Sequence, residues 1–296
     1  MESNLKQRLR RRLFGGRMWR RLADERSAIG RLADLHYRVH HPGLISREWH
    51  ATPEDFEFSR YSQNGEDGIL LYLLASIGAE NHHIVEIGTE DGHECNSANL
   101  ILHFGWHGWL IECDAAMARG AERFFRGHGA GDRVVVMNER ALPENIDALL
   151  SHQDIPREID ILSIDIDSHD YWLWQALTVL TPRLVVIEYN ASFGPSQSVT
   201  IPYAERPPLS RRQHRYYQGA SITALQRLAA RKGYDLVAGD SRGVNAFFIR
   251  RDIREAAGLA TAAPEQVYRP HFRRTLKLSQ EAQQEIVSGF KLTEVE

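Results

Sequence analysis

Asp235-Leu236-Val237-Ala238, then Ser241-Arg242-Gly243, then Asn245-Ala246-Phe247-Phe248-Ile249-Arg250 is the stretch whose reading decides the fold. Two apolar runs rich in β-branched and aromatic residues flank a short polar turn, the pattern of adjacent strands. A turn that short cannot carry a parallel crossover, so the second run must lie antiparallel to the first. Upstream the pattern differs. Apolar runs at 83–87, 109–111, 133–137, 160–166 and 184–189 are separated by stretches of helical spacing near 95–104, 115–126, 143–151 and 171–180. Such alternation predicts parallel strands with helices on both faces. A further helix is expected from a Ser221 cap to Lys232, with Gly233 as its stop. Another precedes the first strand, where Ile69, Leu70, Leu73, Leu74 and Ile77 recur and Gly78 follows. The expectation is a doubly wound α/β domain with seven strands, mostly parallel, the last one antiparallel.

Composition sets the outer bounds. The 296 residues are 43% hydrophobic and 25% charged, ordinary for a globular protein. Cys95 and Cys113 are too few for a disulfide framework and form no CxxC pair. No run reaches the ~20 apolar residues that span a bilayer. The basic N-terminus has no apolar segment after it of the kind a secretory signal carries, so a cytoplasmic location is expected. Residues 1–40 hold eleven Lys or Arg against four Asp or Glu, which leaves −10 on the remainder when the whole chain is −3. An acidic body argues against broad binding of nucleic acid through its phosphates. The basic arm reads as one or two helices over 3–38, able to lie on an anionic membrane surface, touch RNA or pack on a partner.

In an open α/β sheet, ligands bind beyond the C-terminal ends of the strands. After the first strand comes Glu86-Ile87-Gly88-Thr89-Glu90-Asp91-Gly92. Gly88 and Gly92 let the backbone turn tightly and approach a ligand. The third glycine of a dinucleotide fingerprint is missing, and an acidic loop repels a pyrophosphate. A cationic amino-acid ligand fits better. The second strand ends in Glu112-Cys113-Asp114, where Glu112 can accept both hydroxyls of a ribose. Asn138-Glu139 closes the third strand, at a place suited to adenine. The densest cluster follows the fourth strand, Asp165-Ile166-Asp167-Ser168-His169-Asp170, with Glu188-Tyr189-Asn190 after the neighbouring fifth. These acids can bind a hard cation such as Mg²⁺, grip a polyhydroxylated substrate or act as a general base. Asp170 fits a simpler role, a carboxylate at a helix N-terminus. His169 and His214 are further candidate bases. The aromatic and polar stretch 191–218 is too long for a connector and is expected to be a substrate lid.

Several of these blocks together resemble FkbM-type methyltransferases and their bacterial relatives: Tyr61-Ser62-Gln63-Asn64-Gly65-Glu66-Asp67-Gly68, Val85–Gly92, Leu162–Asp170, Val186–Asn190 and Gly243–Phe248. The resemblance spans about 58–252. It implies a Rossmann-like class I methyltransferase fold, S-adenosylmethionine as donor, and O-methylation of a sugar, glycan or natural product. By position it implies that Glu86, Gly88 and Gly92 hold the methionine part of the cofactor and Glu112 its ribose. Asp165 and Asp167 then face the reacting end. Some metal-assisted O-methyltransferases place acids and an amide after strands four and five, and Asp165, Glu188 and Asn190 are similar in placement, with Glu where Asp is more usual. Ser168 stands where the family usually has Gly.

The expected organisation is a basic helical extension over 1–57, the methyltransferase domain over 58–252, and a C-terminal extension over 253–296 packing on that domain. The expected reaction is direct methyl transfer to a hydroxyl, with Asp165, Asp167 or His169 as base. Three rivals stay open: a nicotinamide-dependent sugar-modifying enzyme, a non-catalytic binding module with the same fold, and an RNA methyltransferase guided by the arm. The last lacks an Asn-Pro-Pro-Tyr-like tetrad after the fourth strand.

Overall fold

The computed structural model describes residues 53–204 and 216–296. The helices expected over 3–38 and the candidate base His214 lie outside the described residues.

The block Tyr61–Gly68 is a loop stapled onto helix α1 (Glu66–Ile77). One oxygen of Asp67 accepts the backbone N–H groups of Arg60, Tyr61 and Ser62 at 2.7, 2.8 and 3.1 Å. Glu66 accepts from Asn64 and from the side-chain amide of Asn245. Both acids sit where the positive end of the helix dipole favours them.

The chain then alternates through β1 (His83–Ile87), α2 (Ala98–Phe104), β2 (His107–Ile111), α3 (Ala115–Gly127), β3 (Val134–Met137), α4 (Ile146–Ser151), β4 (Glu158–Ile164), α5 (Asp170–Ala176) and β5 (Thr181–Glu188). A two-residue strand, β6 (Val199–Thr200), precedes α6 (Ile222–Lys232), β7 (Tyr234–Gly239) and β8 (Asn245–Arg250). The seven-stranded sheet has the order β3-β2-β1-β4-β5-β8-β7. β8 inserts between β5 and β7, antiparallel to both, and β1–β5 pair in parallel. This is the doubly wound, mostly parallel sheet with an antiparallel last strand that the alternation and the closing turn implied, and it has the Rossmann-like architecture expected from the resemblance. Asp240 builds that turn by accepting the N–H groups of Arg242, Val244 and Asn245.

Central strands are buried on both sides, so alternate residues feed two separate cores. Val85, Ile87, Leu162, Ile164, Val185, Ile187 and Phe248 join the face covered by α4–α6. Ile84, Ile161, Leu184, Val186 and Phe247 join the face covered by α1–α3. Continuous apolar runs are the sequence mark of such strands.

Beyond the sheet come α7 (Arg251–Ala256), α8 (Pro264–Val267), α9 (Phe272–Thr275), α10 (Gln280–Ser288) and β9 (Thr293–Glu294), the last pairing antiparallel with β6. Helices α8 and α9 have four residues each, too few to show a period in sequence. Among the described residues no helix is long and apolar enough to cross a membrane.

Candidate functional site

The β1→β2→β3 and β4→β5 connections leave in opposite directions from the neighbours β1 and β4. That divergence opens a crevice at the strands' C-terminal ends. A cavity of about 420 Å³ fills it, within the range of small-molecule sites, ~300–1,000 Å³. Its walls come from the ends of β1, β2, β4 and β5, the segment after β3, the loop before α1, and α9 with the residue before it.

On the β1–β2 side, Gly88 lines the cavity at φ +90°. Its N–H donates to the Ile111 carbonyl and the Asp165 N–H donates to the Ile87 carbonyl, both at 2.9 Å. A Cβ at Gly88 would stand 1.7 Å from the Asp165 carbonyl oxygen, so only glycine allows this approach. Glu112 also lines the cavity, though only 7% exposed. Its carboxylate accepts the N–H groups of Glu90 at 2.9 Å and Asp114 at 2.7 Å. Acceptor capacity remains on both oxygens for a vicinal diol. Asp114 instead caps α3, accepting from Ala116 and Met117.

Three expected cofactor residues do different work. The buried carboxylate of Glu86 accepts the N–H groups of Asn96 (2.8 Å) and Ser97 (2.9 Å) just ahead of α2. Along β1 its side chain takes the sheet face opposite Val85 and Ile87, and the cavity wall falls to Ile87, Gly88 and Glu90. Gly92, at φ +85°, packs against Phe124 and Phe125 rather than the cavity. Asn138 donates to the Glu112 carbonyl at 2.9 Å and so supports the end of β2, while Glu139, Arg140, Ala141, Leu142 and Pro143, which follow it, line the cavity.

On the β4–β5 side, oxygens of Asp165, Asp167 and Glu188 lie within 4.8 Å of one another. Burial, followed by repulsion from Asp167 and Asp170, pushes the Asp165 carboxyl well above the usual range. Glu188 is raised in the same way, by burial and then by Asp165 and Asp167, with Arg274 pulling against the shift. Gln218 Nε2 donates to Asp167 at 3.1 Å and to Glu188 at 3.4 Å. Asp170 is raised to about 6, chiefly by burial, although it accepts the N–H groups of Ile166 and Ser168 at the head of α5.

Asn190, expected among the metal donors, is fully committed elsewhere. Its amide donates to the carbonyls of Tyr216 (2.8 Å) and Gln218 (2.7 Å), and its Oδ1 accepts from Ser192 N–H and Arg274. The oxygen set is therefore Asp165, Asp167 and Glu188. His169 is 3% exposed and lines the cavity with its ring edge-on to Tyr203; burial lowers its pKa.

Arg273, Arg274 and His271 also reach the cavity, as do Gln63 and Asn64. The C-terminal three carry no local motif, and only the tertiary fold brings them here. Burial, helped by Arg274, lowers His271 to about 4, so this imidazole is neutral at pH 7. Seven acidic side chains and three guanidinium groups line the cavity, an excess of acids.

No family model and no curated protein matches the chain. Solved structures similar to it include the mitomycin 7-O-methyltransferase MmcR, 20% identical over 62% of this chain and 56% of that one, with a TM-score of 0.37. The N-terminal domain of EvdMO1, solved in the presence of SAH and D-fucose, is 14% identical over 74% of this chain and 96% of that one, with a TM-score of 0.43. The CcbJ methyltransferase from Streptomyces caelestis is 12% identical over 64% and 90%, with a TM-score of 0.40.

Proposed function

We propose that this protein is an S-adenosylmethionine-dependent methyltransferase acting on a hydroxyl of a sugar, glycan or natural-product acceptor. The observation that carries the reading is the acidic cavity at the β1/β4 crevice with Glu112 at the end of β2. Ribose recognition by a carboxylate there would serve a nicotinamide dinucleotide equally well. Charge separates the two. An excess of carboxylates favours a ligand bearing a sulfonium and an ammonium group, and repels a pyrophosphate. The residues present fit the cofactor: Glu112 for the ribose hydroxyls, Ile111, Ala141, Leu142 and Pro143 for the adenine, and the close backbone at Gly88 for the amino-acid end.

When bound, S-adenosylmethionine supplies an electrophilic methyl group. The chain's own task is to orient a hydroxyl and take its proton. Asp165 suits that task because a carboxylate with raised proton affinity is a stronger base near neutrality. Asp165, Asp167 and Glu188 also fit three oxygen ligands of a hard divalent cation, which would polarise the hydroxyl.

Calorimetry with S-adenosylhomocysteine and with NAD tests the reading. Binding of the former, weakened about tenfold or more by Glu112→Gln, is expected. Binding of NAD alone would replace the proposal with the nicotinamide alternative, and binding without turnover on any acceptor would favour a non-catalytic module. Chelator-treated protein, assayed with and without added Mg²⁺, decides the cation: identical rates would remove it.

A further inference from the structure

The charges of the cavity are sorted by wall. Glu90, Glu94, Glu112 and Glu139 follow β1, β2 and β3, while Asp165 and Asp167 follow β4 and Glu188 closes β5. Two of the three guanidinium groups, Arg273 and Arg274, enter together from α9, with His271 just before it. Neither arginine forms an ion pair among the described residues.

What this wall offers is donors. The exposed guanidinium of Arg273 has no hydrogen-bond partner among the described residues; only its backbone N–H is engaged, donating to His271 Nδ1 at 3.2 Å. With Nδ1 accepting, the neutral His271 ring carries its proton on Nε2, a second donor without a partner among those residues. Arg274 engages Nη1 with Asn190 Oδ1 at 2.6 Å and Ser192 Oγ at 3.3 Å, and its Nε and Nη2 stay unpaired there. A guanidinium fork open to a concave site matches the paired oxygens of a carboxylate or a phosphate.

We propose that the methyl acceptor carries an anionic group, a carboxylate or a phosphate ester, which Arg273 binds with help from Arg274 and His271 while the reacting hydroxyl lies at Asp165. Uronic acids and sugar phosphates are acceptors of this class. The clustered Asp165, Asp167 and Glu188 repel the anionic end, so charge alone fixes which way round the acceptor enters. A cationic donor among the acids and an anionic acceptor at α9 also attract each other across the cavity. That the anion belongs to a methyl acceptor rests on the methyltransferase reading; the anion site itself does not.

Saturation-transfer NMR titrations of the full chain with methyl β-D-glucuronide, α-D-glucose 1-phosphate and methyl β-D-glucoside, at fixed ionic strength, test the proposal. At least one of the two anionic probes is expected to bind about tenfold or more tightly than the neutral glucoside. The tighter of the two assigns the group as carboxylate or phosphate. In Arg273→Gln that advantage should shrink to about twofold or less, whereas Arg273→Lys, which keeps the charge without the planar fork, should retain part of it. Arg140→Gln removes a cation that lines the cavity from the segment after β3, and the advantage should survive it.

Equal binding of charged and neutral probes overturns the proposal. So does an advantage that persists in Arg273→Gln, one lost equally in Arg140→Gln, or an absence of saturation transfer from all three probes. Because Arg273 is exposed, its replacement is expected to leave the far-UV circular dichroism spectrum unchanged. Running each titration with and without S-adenosylhomocysteine keeps the two readings apart. Wild-type protein that binds no S-adenosylhomocysteine loses the cofactor reading while the probe series still judges the anion site. Binding of S-adenosylhomocysteine with charge-blind probes keeps the methyltransferase and removes the anionic acceptor.

Discussion

Two residues bear most directly on the chemistry. Asp165 belongs to the cavity wall, where it clusters with Asp167 and Glu188. Asp165→Asn is expected to lower turnover by about 10²–10⁴-fold while leaving S-adenosylhomocysteine affinity within a few-fold of wild type. Equal activity in that variant would hand the base role to Asp167 or His169. Gly88 is constrained differently, by backbone sterics. The methyl of Gly88→Ala would overlap the Asp165 carbonyl at 1.7 Å, on a backbone already at φ +90°. A loss of about 2–4 kcal/mol in urea unfolding is expected, together with weaker cofactor binding. A change under ~0.5 kcal/mol would mean that β1 and β4 separate more easily than their hydrogen bonds imply.

At the scale of elements, buried acids at helix entrances set a pH dependence. Asp67, at the head of α1, is raised from 3.8 to about 6, mainly by burial, with the Tyr61 N–H opposing. Its Oδ1 is buried without a hydrogen-bond partner, which explains why ionisation is resisted. The sign follows from linkage. A carboxyl whose folded pKa lies above its unfolded one favours the folded state while both forms are protonated. That contribution fades as pH climbs from about 4 through about 6. The unfolding midpoint should therefore drop across this window, and Asp67→Asn should flatten the slope. A variant with the wild-type slope would place the dependence on Asp170 and its neighbours instead. Gly65, Glu66 and Asp67 were visible in the sequence as part of a motif, but not as the staple of a loop. Their partners, such as Asn245, lie far along the chain.

At the scale of the whole molecule, the segment beyond the sheet shares its core. Val267 of α8 is 4% exposed and belongs to the cluster with Leu236 and Phe248. Val267→Ala is expected to cost about 1–3 kcal/mol and to lower a single transition seen alike by tryptophan fluorescence and by far-UV circular dichroism. Two separated transitions would show the segment melting by itself. The amino-acid sequence determined the sheet, because strand alternation, the continuous apolar runs of the central strands and the brevity of the 241–243 turn are all local properties of the chain. It also located Gly88, Glu112, Asp165 and Asp167 at strand ends, where such a sheet binds ligands. Tertiary structure alone decided which side chains face the cavity. It turned Glu86, Gly92 and Asn138 to support, withdrew Asn190 from the acid cluster, and delivered Gln218 and Arg274. The physical reason is that a side chain's role here depends on donors and charges dozens of residues away, and no local period records them.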